Sequence, residues 1–255
     1  MEDLGELSVC YVSTDATGGG PALDGIEVAS ATPADVTLDA FDALIVDEEL
    51  TGTDALGALV DRIDETPCVV VEDDTDPRDV ELTLRTAVRE GWTGYPIPVG
   101  EPDRLDRLSE YDFQEPMLSA HLDGLTTTAR ECIDAQVGFV GVVREHREEF
   151  LSVQGVDWET LERQDSVCTH GIVGDDPLVI EGLSEDPRVT YEAINDEYDL
   201  EFYAGVPLTT PNGDRIGMLC VMDEEPPEFD EDDEQALEWL AGQVTHYVEQ
   251  YGQAS

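Results

Sequence analysis

Apolar positions follow two different patterns on either side of residues 101–116. In the first half, short apolar runs alternate with stretches of helical period. Residues 7–13 (LSVCYVS), 26–31 (IEVASA), 43–47 (ALIVD) and 68–72 (CVVVE) read as strands. Residues 33–40 read as a short helix opened by Pro33, and 54–64 place Leu56, Leu59, Val60 and Ile63 on one helical face. Residues 77–91 read as a helix that starts at Pro77 and stops at Gly91, the proline-first, glycine-last asymmetry of helix ends. Such alternation argues for a parallel sheet covered by helices.

The second half reads differently. Leu118, Leu122, Leu125, Ala129 and Cys132 recur at spacings of four and three, and so nearly do Leu237, Leu240, Val244, Tyr247 and Tyr251. These are two framing helices, the last one capped by Asp230 with acidic residues in its first turn. Between them, 138–145 and 148–155 read as a hairpin, LVIEGL (178–183) follows, and LEFYAGVPLTTPNGDRIGMLCVMD (200–223) gives a second hairpin. Its runs 202–208 and 216–222 flank Pro211-Asn212-Gly213-Asp214, and Asn-Gly between β-type runs is a strong hairpin signal because a tight turn needs positive φ. Residues 101–116 have weak pattern and contain Pro102 and Pro116, which places a domain boundary there.

Composition changes the picture in one respect. The 255 residues carry 61 Asp+Glu against 12 basic residues, all arginine, for a net charge of -49. That charge repels phosphate backbones and anionic membranes, which argues against nucleic-acid or membrane partners. With 40% hydrophobic residues the chain still has material for a core, so the acidity reads as a solvated shell suited to molar salt, where repulsion is screened within a few ångströms. A cytoplasmic protein of haloarchaeal type is expected; an acidic surface for a basic partner is the alternative. No apolar run is long enough to span a membrane, and the acidic start MEDLGELSVC does not read as a signal peptide. Five widely spaced cysteines do not form a disulfide framework.

The second half is similar to the GAF domain, a small-molecule sensor module, over roughly residues 117–250. The resemblance rests on Ser166, Cys168 and His170, on Asp186, Pro187 and Arg188, on residues 202–208, and on Gly217, Leu219, Cys220, Val221 and Asp223. It implies an antiparallel sheet with flanking helices and a ligand cavity on one face. The cavity is expected between the central strands and the segments within 156–200, lined by Cys168, His170, Tyr191, Phe202, Tyr203 and Cys220. Relatives of this kind often pair through the framing helices, so a homodimer is expected, although each apolar stripe would also serve to pack on the sheet. The first half resembles a response-regulator receiver. DALIVDEELTGTDALGALV carries the match and puts Asp47 at the phosphoacceptor position. A receiver also needs an acidic pair, a sensing hydroxyl and a lysine around Mg²⁺ and the phosphoryl group. Here Ser13 and Thr14 follow the first strand, Glu72 or Asp73 stands at the hydroxyl position, and the chain has no lysine. A degenerate receiver used for docking or dimerisation is therefore expected. Gly18-Gly19-Gly20 reads as a loop, not a phosphate cradle, because no lysine and no helix follow it.

The expected fold class is thus α/β, with a receiver-like (flavodoxin-like) parallel domain over 1–112 and a GAF domain over 117–252. For Cys168-Thr169-His170 four readings stand side by side: a metal ligand pair, bilin attachment, a reversible disulfide from Cys168 to Cys220, and plain packing with a local histidine hydrogen bond. The four histidines, His121, His146, His170 and His246, do not suggest a convergent cluster, so no metal is expected. No Ser-His-Asp motif, P-loop or dinucleotide fingerprint is present. The chain is read as a cytoplasmic signalling protein without enzymatic activity, sensing an unidentified small molecule and passing the signal to a partner protein by helix packing or docking. A phosphorelay receiver using Asp47 and a small redox enzyme on a GAF scaffold are the alternatives. A small-molecule sensor is expected to show a cavity of at least about 300 Å³ bordered by the lining residues named above; without one the chain reads instead as a dimeric interaction scaffold.

Overall fold

The computed structural model describes residues 7–14, 20–23, 26–50, 53–60, 62–63, 66–72, 75–189 and 198–253. Tyr191, Asp73, Gly18 and Gly19, named above, lie outside them. The chain forms two compact units, Met1–Asp103 and Arg104–Ser255.

The first unit holds a five-stranded sheet, entirely parallel, in the order β2-β1-β3-β4-β5. The strands are β1 Ser8–Val12, β2 Glu27–Ala31, β3 Ala43–Asp47, β4 Cys68–Val71 and β5 Pro96–Pro98. The central strands β3 and β4 are buried almost throughout, as expected for a parallel sheet with both faces covered. Pro96 and Pro98 are tolerated because β5 is an edge strand. Helix α1 spans Asp54–Val60, and α2 spans Pro77–Glu90 with Asp76 capping its start and Gly91, at φ 72°, closing it. The order 2-1-3-4-5 is that of one common doubly wound α/β sheet.

Two expectations for this unit fail. Residues 33–40 do not form an α-helix. Thr32 Oγ1 donates to Asp35 Oδ2 and the chain turns there, leaving only a 3₁₀ turn at Leu38–Ala40 before β3 begins. Helix α1 spans Asp54–Val60, and Arg62 and Ile63 are not helical; Arg62 turns its guanidinium to the carbonyls of Pro33 and Val36.

The second unit is built on a six-stranded antiparallel sheet in the order β8-β7-β6-β11-β10-β9. Its strands are β6 Val137–Val143, β7 Arg147–Gln154, β8 Thr160–Glu162, β9 Leu178–Ile180, β10 Phe202–Thr209 and β11 Arg215–Asp223. Helix α3, Glu101–Ser109, arises where little pattern was seen. Leu108 and Tyr111 join the core of the second unit, so residues 104–112 belong with it and not with the first domain. Helix α4, Pro116–Ile133, packs beside α6, Glu231–Tyr251, against one face of the sheet; the one-turn α5, Cys168–Gly171, lies between β8 and β9 in the chain. Asp230 and Asp233 form a reciprocal capping box at the start of α6. Five residues, 210–214, join β10 to β11, held by Gly213 N–H to Thr210 O and Thr210 N–H to Asp214 O, with only Gly213 at positive φ, so Asn212 stays in ordinary space and the glycine alone supplies the left-handed residue.

Alternation along the strands sorts the side chains. Val140, Val142, Phe202, Ala204, Val206, Leu219 and Val221 share a core with Leu118, Leu122, Ala129, Leu237, Leu240 and Val244 of α4 and α6. The apolar stripes of the framing helices thus pack chiefly on their own sheet; Cys132 is exposed. A bulge in β7 opposite Val140/Gly141 leaves Leu151 and Ser152 both on the helix side, where Ser152 Oγ bonds Asp123 of α4 at 2.7 Å. The start and end of the unit meet: Tyr111 pairs with Gln253, Asp112 N–H donates to Gly252 O at 2.6 Å, and the Tyr111 hydroxyl bonds Glu249 of α6.

Candidate functional site

The sheet face away from α4 and α6 carries a second core in which Phe139, Tyr203, Met218, Cys220 and Met222 pack with Cys168 and Ile172 of the α5 region. A cavity of about 90 Å³ opens in it. Phe139 of β6, Glu148 and Phe150 of β7, Trp158, Thr160 and Leu161 around β8, Val167 and Cys168 at α5, Tyr203 of β10 and Met222 of β11 line it. Three of its rings touch: Phe139 and Phe150 meet edge to face at 5.2 Å between centroids, and Trp158 lies 5.9 and 5.5 Å from them. Tyr198 stands 6.4 Å beyond Trp158. The volume is well below about 300 Å³, the lower end for drug-sized ligands, so that expectation is corrected: the hollow suits a molecule of a few non-hydrogen atoms.

Two glycines make room for the polar groups. A Cβ on Gly141 would lie 1.9 Å from Glu148 Oε1, and one on Gly205 would lie 2.4 Å from the Tyr203 hydroxyl. Glu148 and Tyr203 therefore lie flat across the sheet over positions that only glycine leaves open. Glu148 is 1% exposed. Its Oε2 accepts from the Ser166 hydroxyl at 2.6 Å, whereas Oε1 has no hydrogen-bond partner. Burial pushes its pKa up to about 7, and the Ser166 hydroxyl and the nearby Cys168 thiol only partly oppose this. Tyr203 Oη stands 3.4 Å from Cys168 Sγ and 3.1 Å from Cys220 Sγ, and the two sulfurs are 3.6 Å apart. Burial, then the Cys220 neighbour, holds the Cys168 thiol well above its ordinary pKa.

The residues expected to line a cavity thus separate. Cys168 and Tyr203 border it, and Cys220 lies behind them, within reach of both. Phe202 is on the opposite face, 5.6 Å from Phe229 in the helix-side core, because neighbouring strand residues point to opposite sides. His170 is buried but not among the lining residues; its Nδ1 has no partner, and burial, then the Arg188 charge, lowers its pKa to about 4, so it is neutral. Glu148, Phe139, Phe150 and Trp158 were not anticipated. Among the described residues, no three His, Cys, Asp or Glu side chains converge to hold a metal ion.

The first unit has a hollow of its own, about 160 Å³, at the carboxyl ends of β1, β3 and β4. It is larger than the hollow in the second unit. Tyr11, Pro21, Asp47, Val71, Glu72, Thr75 and Val80 line it, beside the point where the strand order reverses. Asp47 accepts from the Tyr11 hydroxyl and from Glu49 N–H at 2.9 Å. A hydroxyl is present after all, on Thr75, and it accepts from Glu72 N–H at 3.1 Å.

Residues 118–247 match the GAF domain family, half of the chain. The chain belongs to the GAF domain family. Over 132 residues it is 26% identical to a cyclic di-GMP phosphodiesterase of Pseudomonas aeruginosa, a match covering 51% of this chain and 22% of that protein. The chain thus spans about a fifth of the curated relative it matches. Among solved structures, the GAF domain of a phosphoenolpyruvate-protein phosphotransferase from Acinetobacter is 20% identical, covering 59% of this chain and 93% of that one, with a TM-score of 0.46. A type II free methionine-R-sulfoxide reductase from Thermoplasma acidophilum is 14% identical, covering 56% and 99%, with a TM-score of 0.47. In this GAF domain the family-like boxes have visible work. Ser166 holds Glu148, and Cys168 faces the cavity. Asp186 takes Arg188 in a two-pronged ion pair, Nε at 2.8 and Nη2 at 2.5 Å. Gly217 lets β11 approach β6, since a Cβ there would lie 2.0 Å from Gly141 O.

Proposed function

We propose that the GAF domain is the sensing part of a signalling protein, binding a small molecule of a few non-hydrogen atoms in the cavity beside α5. The observation that carries this reading is Glu148: a carboxyl group buried at an aromatic-lined hollow, with one oxygen lacking a partner. An unmet buried acceptor is costly, and a ligand donor would relieve it. Occupancy would bias the packing of α5 on β11 and, through the sheet, of α4 and α6. The output passes to a partner protein, the protein works as a homodimer in the cytoplasm of a salt-accumulating cell, and it is not an enzyme. The net charge of -49 supports the salt-adapted setting. The first unit serves as a docking or dimerisation module, since Tyr11 occupies Asp47.

Native mass spectrometry of the full chain, purified from its own cells into volatile high-salt buffer, tests this reading. A bound small molecule that is lost in Trp158→Ala supports it. A bare chain in every preparation, with Trp158 fluorescence unmoved by the low-molecular-weight fraction of those cells, would leave an interaction scaffold instead.

A further inference from the structure

We infer that Cys168 and Cys220 are a redox-active dithiol, in which Cys168 meets a small hydroperoxide through the cavity and Cys220 closes the disulfide. The inference stands on the thiol geometry and does not require reversible ligand binding. Cys168 is at the cavity wall and Cys220 is not. Cys220 is fully buried, with its sulfur 3.6 Å from that of Cys168. One thiol is thus placed to be reached from outside and the other to be reached only from the first. The sulfurs need to approach to about 2.05 Å to bond, and the shift falls on α5, a single turn four residues long.

The neighbours supply the proton transfers. Glu148, at the same wall, has Oε1 without a partner and lies close enough to Cys168 for each to affect the other's protonation. As a carboxylate it takes the Cys168 proton, without which the thiol would be inert in so dry a site. The thiolate attacks the terminal oxygen of the hydroperoxide. An S–O bond forms, the O–O bond breaks, and the leaving oxygen departs as water or an alcohol after taking a proton from Glu148. Cys168 is then a sulfenic acid. The Cys220 sulfur attacks it, the S–S bond forms, the S–O bond breaks, and the hydroxyl leaves as water with the Cys220 proton. Overall two thiols and one hydroperoxide give one disulfide, one water and one water or alcohol. Tyr203 Oη, 3.4 and 3.1 Å from the two sulfurs, is placed to hold both in line. A small external dithiol returns the pair to the reduced form by exchange.

The test uses the full chain in molar KCl with hydrogen peroxide as the probe, in a Cys132→Ser background because Cys132 is exposed. Intact mass is expected to fall by two hydrogens, a peptide joining Cys168 to Cys220 is expected in the non-reducing digest, and dithiothreitol is expected to reverse both. Cys220→Ser is expected to stop at a sulfenic acid on Cys168 that dimedone traps. Glu148→Gln is expected to reach the same end state roughly a hundredfold more slowly, with unfolding no easier than in the parent. Peroxide that leaves the folded chain reduced, or oxidises it elsewhere first, overturns the inference. A Cys220→Ser chain with no dimedone adduct at Cys168 overturns the assignment of roles.

Discussion

The protonation of Glu148 should be readable as a pH dependence of stability. Its carboxyl is raised from an ordinary 4.5 to about 7 chiefly by burial, a separation worth roughly 3 kcal/mol at ~1.4 kcal/mol per pH unit. The folded value lies above the unfolded one, so the folded chain binds the proton more tightly. Stability is therefore highest below the unfolded value and falls as the pH rises, until Glu148 is ionised in both states. Glu148→Gln keeps an acceptor for the Ser166 hydroxyl and removes the titration. The stability of the variant relative to the parent should rise by roughly 2.5 kcal/mol between about pH 5 and about pH 8.5. Burial, unlike surface repulsion, is little screened by salt, so molar KCl can hold the fold while the comparison is made. Urea unfolding followed by fluorescence, in a Trp92→Phe background so that only Trp158 and Trp239 of the second unit report, is the measurement. Parallel curves for parent and variant across that range would mean that Glu148 is ionised without cost, and that the cavity is wetter than its lining suggests.

Three further outcomes are expected. Gly217→Ala places a methyl 2.0 Å from Gly141 O, and the β6–β11 ladder should part at a cost of about 3 kcal/mol or more; a near-neutral urea midpoint would refute the close approach. The fold should depend on molar salt because of the net charge of -49, and a melting temperature by circular dichroism that stays constant down to about 0.1 M KCl would rule this out. Acetyl phosphate with Mg²⁺ should leave Asp47 unmodified, since Tyr11 already binds it and no lysine is available; a stoichiometric adduct seen by intact mass and lost in Asp47→Asn would promote the phosphorelay reading.

Strands β1–β4, β6, β7 and β9–β11 were legible as short runs between turn signals, whereas β5 and β8, three residues each, were not; helices α2, α4 and α6 were legible from their ends or from the helical spacing of their apolar positions. Helix α3 was not, because of its two leucines only Leu108 is buried and it also buries Arg104, whose guanidinium reaches Val143 O at 2.7 Å; a buried arginine has no apolar signature. Glu148 escaped notice for the same reason. In EEFLSVQG the charges read as outward, and only the strand parity that Glu148 shares with Phe150 turns it inward. The same parity rule, applied to 202–203, would have separated Phe202 from Tyr203, which cannot both face one cavity. The glycine signal was also available: Gly205 in the middle of a buried strand marks a place where something lies close, here the Tyr203 ring.

The pairing of Tyr111 with Gln253 has a consequence for how this domain can be used. The chain comes into the GAF domain and leaves it at one spot, with the two backbones hydrogen-bonded to each other. A unit of this kind can be spliced into a surface loop of another protein without stretching its host, and it can be permuted by joining its old ends through a short linker. The join also lies at the C-terminal end of α6, where Glu249 meets the Tyr111 hydroxyl. A small displacement of that helix would therefore tug on the incoming and the outgoing strand of the host together, like one hand on two ropes.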